Sequence, residues 1–258
     1  MKIDKDVIRK LLPDKFKEHC LIGICNPKYL EGLKPVYSIK NKKWSATPKE
    51  IFPAVQSIIV LIHFTPVAWD YSVEKITIGL GSLLWKGLGL KTHIINETGN
   101  VDPNSLVGTE GGLSSKRYKK LILLKELAYY AGLGQYGKSS LIINPYFGSD
   151  FKIQALFTEK RIKYDYVLTP RKYPGCKNCN QCIELCPSSA LSNYKIAPLK
   201  CQWNWNRDSQ EIPKAYLLPL IQIQKPNVKN YLFQKKACRN CQAYCKANKD
   251  HYSLLRIL

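Results

Sequence analysis

Four cysteines lie within a run of twelve residues, CKNCNQCIELCP, which spans 176–187 and ends with a proline. Cys176, Cys179, Cys182 and Cys186 follow the spacing C-x2-C-x2-C-x3-C-P. Thiolates at this spacing hold iron–sulfur clusters, and the fourth cysteine of such a run binds a different cluster from the first three. The run therefore predicts half of a larger ligand set.

A second group of cysteines supplies the ligands that the first run lacks. The sequence CRNCQAYC repeats the x2 and x3 spacings, and a further cysteine lies upstream in LKCQW. By the ligand rule of bacterial two-cluster ferredoxins, the eight cysteines divide between two 4Fe–4S clusters. The first cluster is predicted to use Cys176, Cys179, Cys182 and Cys245, and the second Cys186, Cys201, Cys238 and Cys241.

Structural zinc is the main alternative for these cysteines, because C-x2-C pairs also suit tetrahedral zinc. The amino terminus is charged throughout and lacks the apolar stretch of a signal peptide. The longest apolar runs fall short of the roughly 18 residues that a bilayer span needs. The sequence therefore predicts a cytoplasmic protein with no membrane segment, whose thiols bind metal rather than form disulfides. Cys20 and Cys25 lie outside the cluster spacing and are predicted to be buried structural thiols.

The charge of the chain is strongly positive. Forty Lys and Arg against nineteen Asp and Glu give a net charge of +21 over 258 residues. This excess favours an acidic partner, which is either a nucleic acid or an acidic electron donor. A solvated basic surface with no partner is the alternative, because the charges are scattered along the chain.

The pattern along the chain predicts an α+β domain over 1–170 and a smaller cysteine-bearing domain over 171–258. Helices are expected over 4–18 and 114–134, where apolar residues recur on one face, and 73–91 has a helix-like apolar content. Strands are expected at SIIVLIHF, 57–64, at the start of HIINETGNVDPN, 93–104, and at SLIINPYF, 140–147, and KIQALFTE, 152–159.

Glycines and a lysine are concentrated in the segment AGLGQYGKSSLIINPYFGS, 131–149. Gly132, Gly134 and Gly137 leave bare backbone N–H groups near a helix end, and Lys138 adds a cation. Such a surface suits the close approach of a large, partly anionic ligand. The spacing fits neither a Walker A loop nor a dinucleotide fingerprint. A glycine helix cap followed by a turn is the alternative interpretation of the segment alone.

Taken together, these motifs resemble those of epoxyqueuosine reductase, a family related to the reductive dehalogenases. The resemblance rests on the order AGLG-x2-GK, N-P-x2-G-S, C-x2-C-x2-C-x3-C-P, a lone cysteine and C-x2-C-x3-C. The chain resembles the short form of the family, which lacks the carboxy-terminal helical repeats. It implies a corrinoid-binding domain of nitroreductase-like fold, lined by Gly132, Gly134, Gly137 and Lys138, followed by a two-cluster ferredoxin-like domain.

The resemblance also implies catalytic residues. The family carries an Asp-Tyr-His segment whose aspartate donates a proton, and the match here is Asp70 and Tyr71, followed by Ser72 in place of histidine. It further implies a reductase in which two 4Fe–4S clusters pass electrons to a bound cobalamin or directly to the substrate. Expected partners are an acidic donor, ferredoxin or flavodoxin, and tRNA. A non-enzymatic iron–sulfur protein of electron transfer or reductive activation is the alternative, and a nucleic-acid-binding iron–sulfur protein ranks third.

Overall fold

The computed structural model describes residues 3–34, 45–64, 72–95, 101–107, 122–197, 200–201 and 240–248. The chain divides into two compact units. Among the described residues, the first unit contains those up to Phe64, those from 72 to Gly134, and Phe151–Thr169. The second contains Gln135–Asp150 and the described residues from Pro170 onward. The glycine-rich segment is therefore split, since Gly137 and Lys138 belong to the second unit.

A five-stranded antiparallel sheet forms the centre of the first unit. Its strands are β1 Cys20–Cys25, β2 Ser57–Phe64, β3 Thr92–Ile95, β4 Val101–Val107 and β7 Phe151–Thr158. Their order in the sheet is β1-β2-β7-β3-β4. Every residue of β2 is buried, because both of its edges are paired and both of its faces are covered. The apolar run SIIVLIHF is typical of such a central strand.

Helices cover the sheet of the first unit. They are α1 Lys5–Lys10, α2 Asp14–Lys17, α3 Lys28–Glu31, α4 Pro48–Ile51, α5 Ser72–Leu88 and α6 Leu124–Tyr130. Ile8, Leu80 and Leu84 pack into one core cluster with inward-facing residues of β1 and β2. On the opposite face, Gly23 of β1 lies so close to Ala131 that a Cβ there would collide with the Ala131 carbonyl oxygen. None of the described helices is long and apolar enough to cross a membrane.

The sequence predicts one opening helix over 4–18, and the structure contains two. The helix α1 ends at Lys10, and α2 begins at Asp14 immediately after Pro13. Proline has no backbone N–H and its ring clashes with the preceding turn, so the helix breaks there. The strand expected over 140–147 is also shorter, because only Ile142–Ile143 forms the paired strand β6.

Short elements make up the described part of the second unit. They are β5 Gln135–Tyr136, β6 Ile142–Ile143, α7 Gln181–Glu184, β8 Leu191–Ser192, β9 Lys195–Ile196 and α8 Asn240–Ala243, with 3-10 turns at Pro174–Cys176 and Lys246–Asn248. The hairpin β5–β6 is extended by a bridge between Tyr136 and Lys172. The described cysteine-bearing segments are therefore built from single turns and not from long helices.

Candidate metal centre

The first cysteine run is built from consecutive tight turns. The backbone N–H of Cys176 donates to the Tyr173 carbonyl at 3.1 Å, and the N–H of Cys179 donates to the Cys176 carbonyl at 3.2 Å. The short helix α7 then carries Cys182. A spacing of two residues between cysteines corresponds to about one such turn, so successive thiols return to the same side of the backbone.

The second cysteine motif lies against the first. Helix α8 packs on α7, and the side-chain amide of Asn240 donates to the Leu185 carbonyl at 3.3 Å. This packing brings Cys245 close to the first run. Burial and then the thiols of Cys176, Cys245 and Cys179 raise the pKa of Cys182 to about 11. Burial also raises the pKa of Cys176, and Cys245 and Cys179 add to that rise.

The raised pKa values of Cys176 and Cys182 favour the protonated thiols, first because burial penalises the charged form and then because neighbouring thiols repel a thiolate. Metal ligands must be deprotonated, so a metal centre held here would displace these protons on binding. The donor set is all sulfur, which is the set that 4Fe–4S clusters use.

Cys186 lies in a different environment from the first three cysteines. Its sulfur accepts a hydrogen bond from the Ala190 backbone N–H at 3.3 Å and lies 3.8 Å from the Ser188 hydroxyl. Although burial raises the pKa of Cys186, the hydrogen bonds from Ala190, Ser188 and Leu191 lower it below its ordinary value. Ser189 has a φ of +48°, and this local turn directs successive backbone N–H groups at the sulfur. The site therefore stabilises a thiolate at Cys186.

The segment Gln135–Asp150 touches both cysteine motifs. At its start, the ammonium of Lys138 donates to the Lys177 carbonyl at 3.0 Å and to Asn180 Oδ1 at 2.8 Å. At its end, the Ser149 backbone N–H donates to Asn248 Oδ1 at 2.6 Å, and the side-chain amide of Gln242 donates to the Ser149 carbonyl at 2.8 Å. One segment thus supports the regions that carry Cys176 and Cys245.

The glycine of the N-P-x2-G-S motif is required by this contact. Gly148 has a φ of +59°, and a Cβ there would collide with Asn248 Oδ1 and with the Ala247 carbonyl oxygen. Asn144 stabilises the same turn, because its side-chain oxygen accepts from the N–H groups of Tyr146 and Phe147 at 2.8 and 3.1 Å. The motif therefore serves as the attachment point of the second cysteine motif.

Gly132 and Gly137 of the same segment also lie against other parts of the chain. Gly132 has a φ of +71° and ends α6, and a Cβ there would collide with the Tyr166 carbonyl oxygen. A Cβ on Gly137 would lie 2.5 Å from Ile143 Cδ1. The packing of the chain itself therefore requires glycine at both positions, and their contact with a corrinoid stays a prediction. Lys138 is only 8% exposed, and its ammonium donates to the cysteine loop.

The described structure does not place every predicted site residue. Asp70, Tyr71 and Cys238 lie outside the described residues. Cys201 is partly exposed, and its N–H donates to the Ala197 carbonyl at 3.2 Å. Within the described part of the chain, no three His, Cys, Asp or Glu side chains form a group that could hold a metal ion. The ligand assignment therefore stays a prediction.

Residues that the sequence analysis does not single out complete this arrangement. Asn180, Gln242 and Asn248 hold the cysteine loops by side-chain hydrogen bonds. Each lies within three residues of a predicted ligand, which is the one signal that the sequence offers for them.

The chain is similar in sequence to two kinds of known protein. The chain is 31% identical over 132 residues to epoxyqueuosine reductase from Leadbetterella byssophila, covering 49% of this chain and 37% of that relative. It is 25% identical over 163 residues to tetrachloroethene reductive dehalogenase from Desulfitobacterium hafniense, covering 51% and 26%. No protein-family model matches the chain.

The fold is shared with solved structures as well. Epoxyqueuosine reductase from Streptococcus thermophilus matches with a TM-score of 0.60 at 15% identity, covering 95% of this chain and 65% of that one. The chain is similar to epoxyqueuosine reductases. An epoxyqueuosine reductase solved with a modified tRNA stem loop matches with a TM-score of 0.57 at 15% identity, covering 95% and 64%. The chain thus has a mixed helix and strand fold of this type, and it spans less than two thirds of each of these relatives.

Proposed function

We propose that the protein is an iron–sulfur reductase with a nitroreductase-like first domain and a two-cluster ferredoxin-like second domain. Two 4Fe–4S clusters would supply low-potential, one-electron transfer when bound. The first would be held by Cys176, Cys179, Cys182 and Cys245, and the second by Cys186, Cys201, Cys238 and Cys241. The protein itself packs the second cysteine motif on the first and stabilises the Cys186 thiolate.

The observation that carries the proposal is the packing of α8 on α7, with the Asn240 amide donating to the Leu185 carbonyl at 3.3 Å, which brings Cys245 near Cys176 and Cys182. Cys245 is remote from them in sequence, yet the crossed ligand rule of two-cluster ferredoxins assigns it to their cluster. The sequence similarity to epoxyqueuosine reductases and reductive dehalogenases supports the reductase class.

Two cysteine variants test the crossed ligation. Cys245→Ala is expected to remove only the first cluster, and Cys201→Ala only the second, so each should retain about four of eight irons. The measurement is iron content together with electron paramagnetic resonance of the dithionite-reduced, anaerobically reconstituted protein. If Cys201→Ala retains both clusters, the ligand assignment is wrong. If Cys245→Ala and Cys201→Ala lose the same signal, the crossing is wrong.

A bound corrinoid is the proposed acceptor of electrons from the clusters. The resemblance implies a corrinoid near Gly132, Gly134, Gly137 and Lys138, with Asp70 or Tyr71 as the proton donor. The alternative is an electron-transfer protein without its own chemistry. Titration of cluster-loaded protein with cobalamin decides between the two. A spectral change that Gly134→Val abolishes supports the corrinoid, and no binding supports the alternative.

The proposed partner is an acidic electron donor such as ferredoxin or flavodoxin, with tRNA as the second candidate. In the described part of the second unit the exposed cations are Arg171, Lys172, Lys177, Lys195, Lys200 and Lys246, against one exposed carboxylate, Glu184. A protein donor should lose mainly association rate as salt rises. A tRNA held at many phosphates should show a steep fall of log affinity with log salt. Tight binding to neither at low salt would make this an ordinary solvated surface.

A further inference from the structure

Lys138 is a buried cation in the second unit. The residue is 8% exposed, so its ammonium is largely removed from bulk water. Its two hydrogen-bond acceptors are the Lys177 carbonyl at 3.0 Å and Asn180 Oδ1 at 2.8 Å, and neither is a carboxylate. Both described salt bridges of the chain lie elsewhere, between Lys5 and Asp165 and between Lys17 and Asp14. Among the residues that the structure describes, the positive charge of Lys138 is therefore held by neutral partners.

These partners fix the loop that carries two of the predicted ligands. Lys177 and Asn180 flank Cys179 on either side, and Lys177 follows Cys176 directly. Burial raises the pKa of Cys176, and Lys138 opposes this rise through its backbone and its positive charge. One residue thus fixes the loop through its side chain and sets a positive charge near the Cys176 thiol.

We infer that Lys138 is a positioning residue of the first cluster, which fixes the Cys176–Asn180 loop and sets a positive charge beside the cluster. This inference rests on the proposed function, because it requires the cluster to be bound. It assigns Lys138 to the cysteine loop, in place of the corrinoid surface that the family resemblance implies.

The charge has a direct electrochemical consequence. Reduction adds one negative charge to the cluster, and a nearby cation stabilises the reduced form more than the oxidised form. Hydrogen bonds to the cluster sulfurs and net charge are recognised determinants of cluster potential. Salt and water screen exposed charges but screen buried ones much less. Lys138 should therefore raise the potential of one cluster, whereas exposed lysines of the same unit should change it little.

Four variants separate the charge from the hydrogen bonds. Lys138→Met removes both, Lys138→Gln keeps a donor without the charge, and Lys138→Arg keeps both. Lys195→Met is the matched control, because Lys195 is exposed in the same unit and its loss gives the same change in net charge. The measurements are a redox titration followed by electron paramagnetic resonance and the rate of iron release to a chelator.

We expect one of the two midpoint potentials to shift to more negative values in Lys138→Met and Lys138→Gln and to stay near wild type in Lys138→Arg and Lys195→Met. Faster iron release, or loss of one cluster, in Lys138→Met alone would support the positioning role. If Lys138→Met loses the cluster, the effect of the charge on the midpoint potential is measured in Lys138→Gln instead. Wild-type potentials in Lys138→Gln overturn the inference, as does an equal shift in Lys195→Met. Wild-type protein that takes up no cluster overturns the proposed function and this inference with it.

Discussion

At the scale of single residues, Asp165 joins distant parts of the first unit. One carboxylate oxygen accepts from the Lys5 ammonium at 2.6 Å, and the other accepts from the backbone N–H of Ile24 at 2.8 Å. The two bonds are expected to contribute differently to the stability of the fold. The Lys5 side chain is 43% exposed, so the ion pair is partly screened by water. Ile24 is fully buried, so its N–H would lose its acceptor without gaining water.

Asp165→Ala is therefore expected to lower the free energy of unfolding by about 2 kcal/mol, because a buried N–H is left unsatisfied. The matched variant Lys5→Ala removes only the exposed partner and should cost less than about 1 kcal/mol. Denaturant unfolding of both variants measures the difference. An equal loss of free energy of unfolding in the two variants would mean that Asp165 stabilises the fold through the ion pair with Lys5 and not through the Ile24 hydrogen bond.

His63 gives the first unit a pH dependence. Burial in β2, reinforced by His19 and Lys152, lowers the pKa of His63 to about 4. An unfolded histidine titrates near 6.5, so between about pH 6.5 and 4 the unfolded chain binds a proton that the folded chain does not. The free energy of unfolding should therefore fall as pH falls through this window, by up to about 1.4 kcal/mol per pH unit.

The variant His63→Gln should flatten this dependence between about pH 6.5 and 4, whereas His19→Gln should retain it. Carboxylates titrate in the lower part of the same range, so the decisive quantity is the difference in slope between each variant and the wild type. Urea unfolding at several pH values measures it. A slope that His63→Gln leaves unchanged would show that His63 is not the group responsible.

At the scale of elements, the end of α6 shows how one glycine fixes a chain direction. The N–H of Gly132 donates to the Tyr129 carbonyl at 3.0 Å, and the N–H of Leu133 donates to the Ala128 carbonyl at 2.9 Å. This pair of bonds is the Schellman motif, which requires a left-handed residue, and Gly132 has a φ of +71°. The Tyr166 carbonyl lies directly against its α-carbon.

Gly132→Ala should lower the free energy of unfolding by at least about 2 kcal/mol, because it adds left-handed strain to a steric collision. Gly32→Ala is a suitable control. Gly32 also follows a helix, but it has a φ of −86°, and a Cβ added there would meet no heavy atom within 4 Å, so the change should be within about 0.5 kcal/mol. Thermal or denaturant unfolding compares the two, and a similar small loss in both would contradict the role of the cap.

The sequence predicts elements best where the signal is local. The strand over 57–64 is confirmed, because a continuous apolar run suits a central strand. The strand β1 is absent from the sequence prediction, although CLIGIC is also apolar and both of its cysteines are buried as predicted. The strand predicted over 140–147 is wrong in length, because Asn144 and Gly148 pair across a turn after only two strand residues. That turn is fixed by Asn248, which lies 99 residues from Ser149.

At the scale of the whole molecule, the grouping of segments follows from such long-range bonds. In the sequence, the motifs at 131–149 and 176–187 are related only by their unusual composition. In the structure, Lys138 bonds to the first cysteine loop and Ser149 bonds to the second. Spacing alone assigns Cys245 to the first cluster, since the ligand rule is general. The cysteine spacing does not reveal the role that we infer for Lys138, because that role depends on where its side chain is buried.

The central claim is that the eight spaced cysteines hold two 4Fe–4S clusters, and metal analysis tests it most directly. Protein purified without oxygen should contain about eight iron and eight acid-labile sulfide per chain, with the broad visible absorption of the clusters. Zinc at about two per chain, with no sulfide and no visible absorption, would contradict the account, because C-x2-C pairs would then be serving structural zinc.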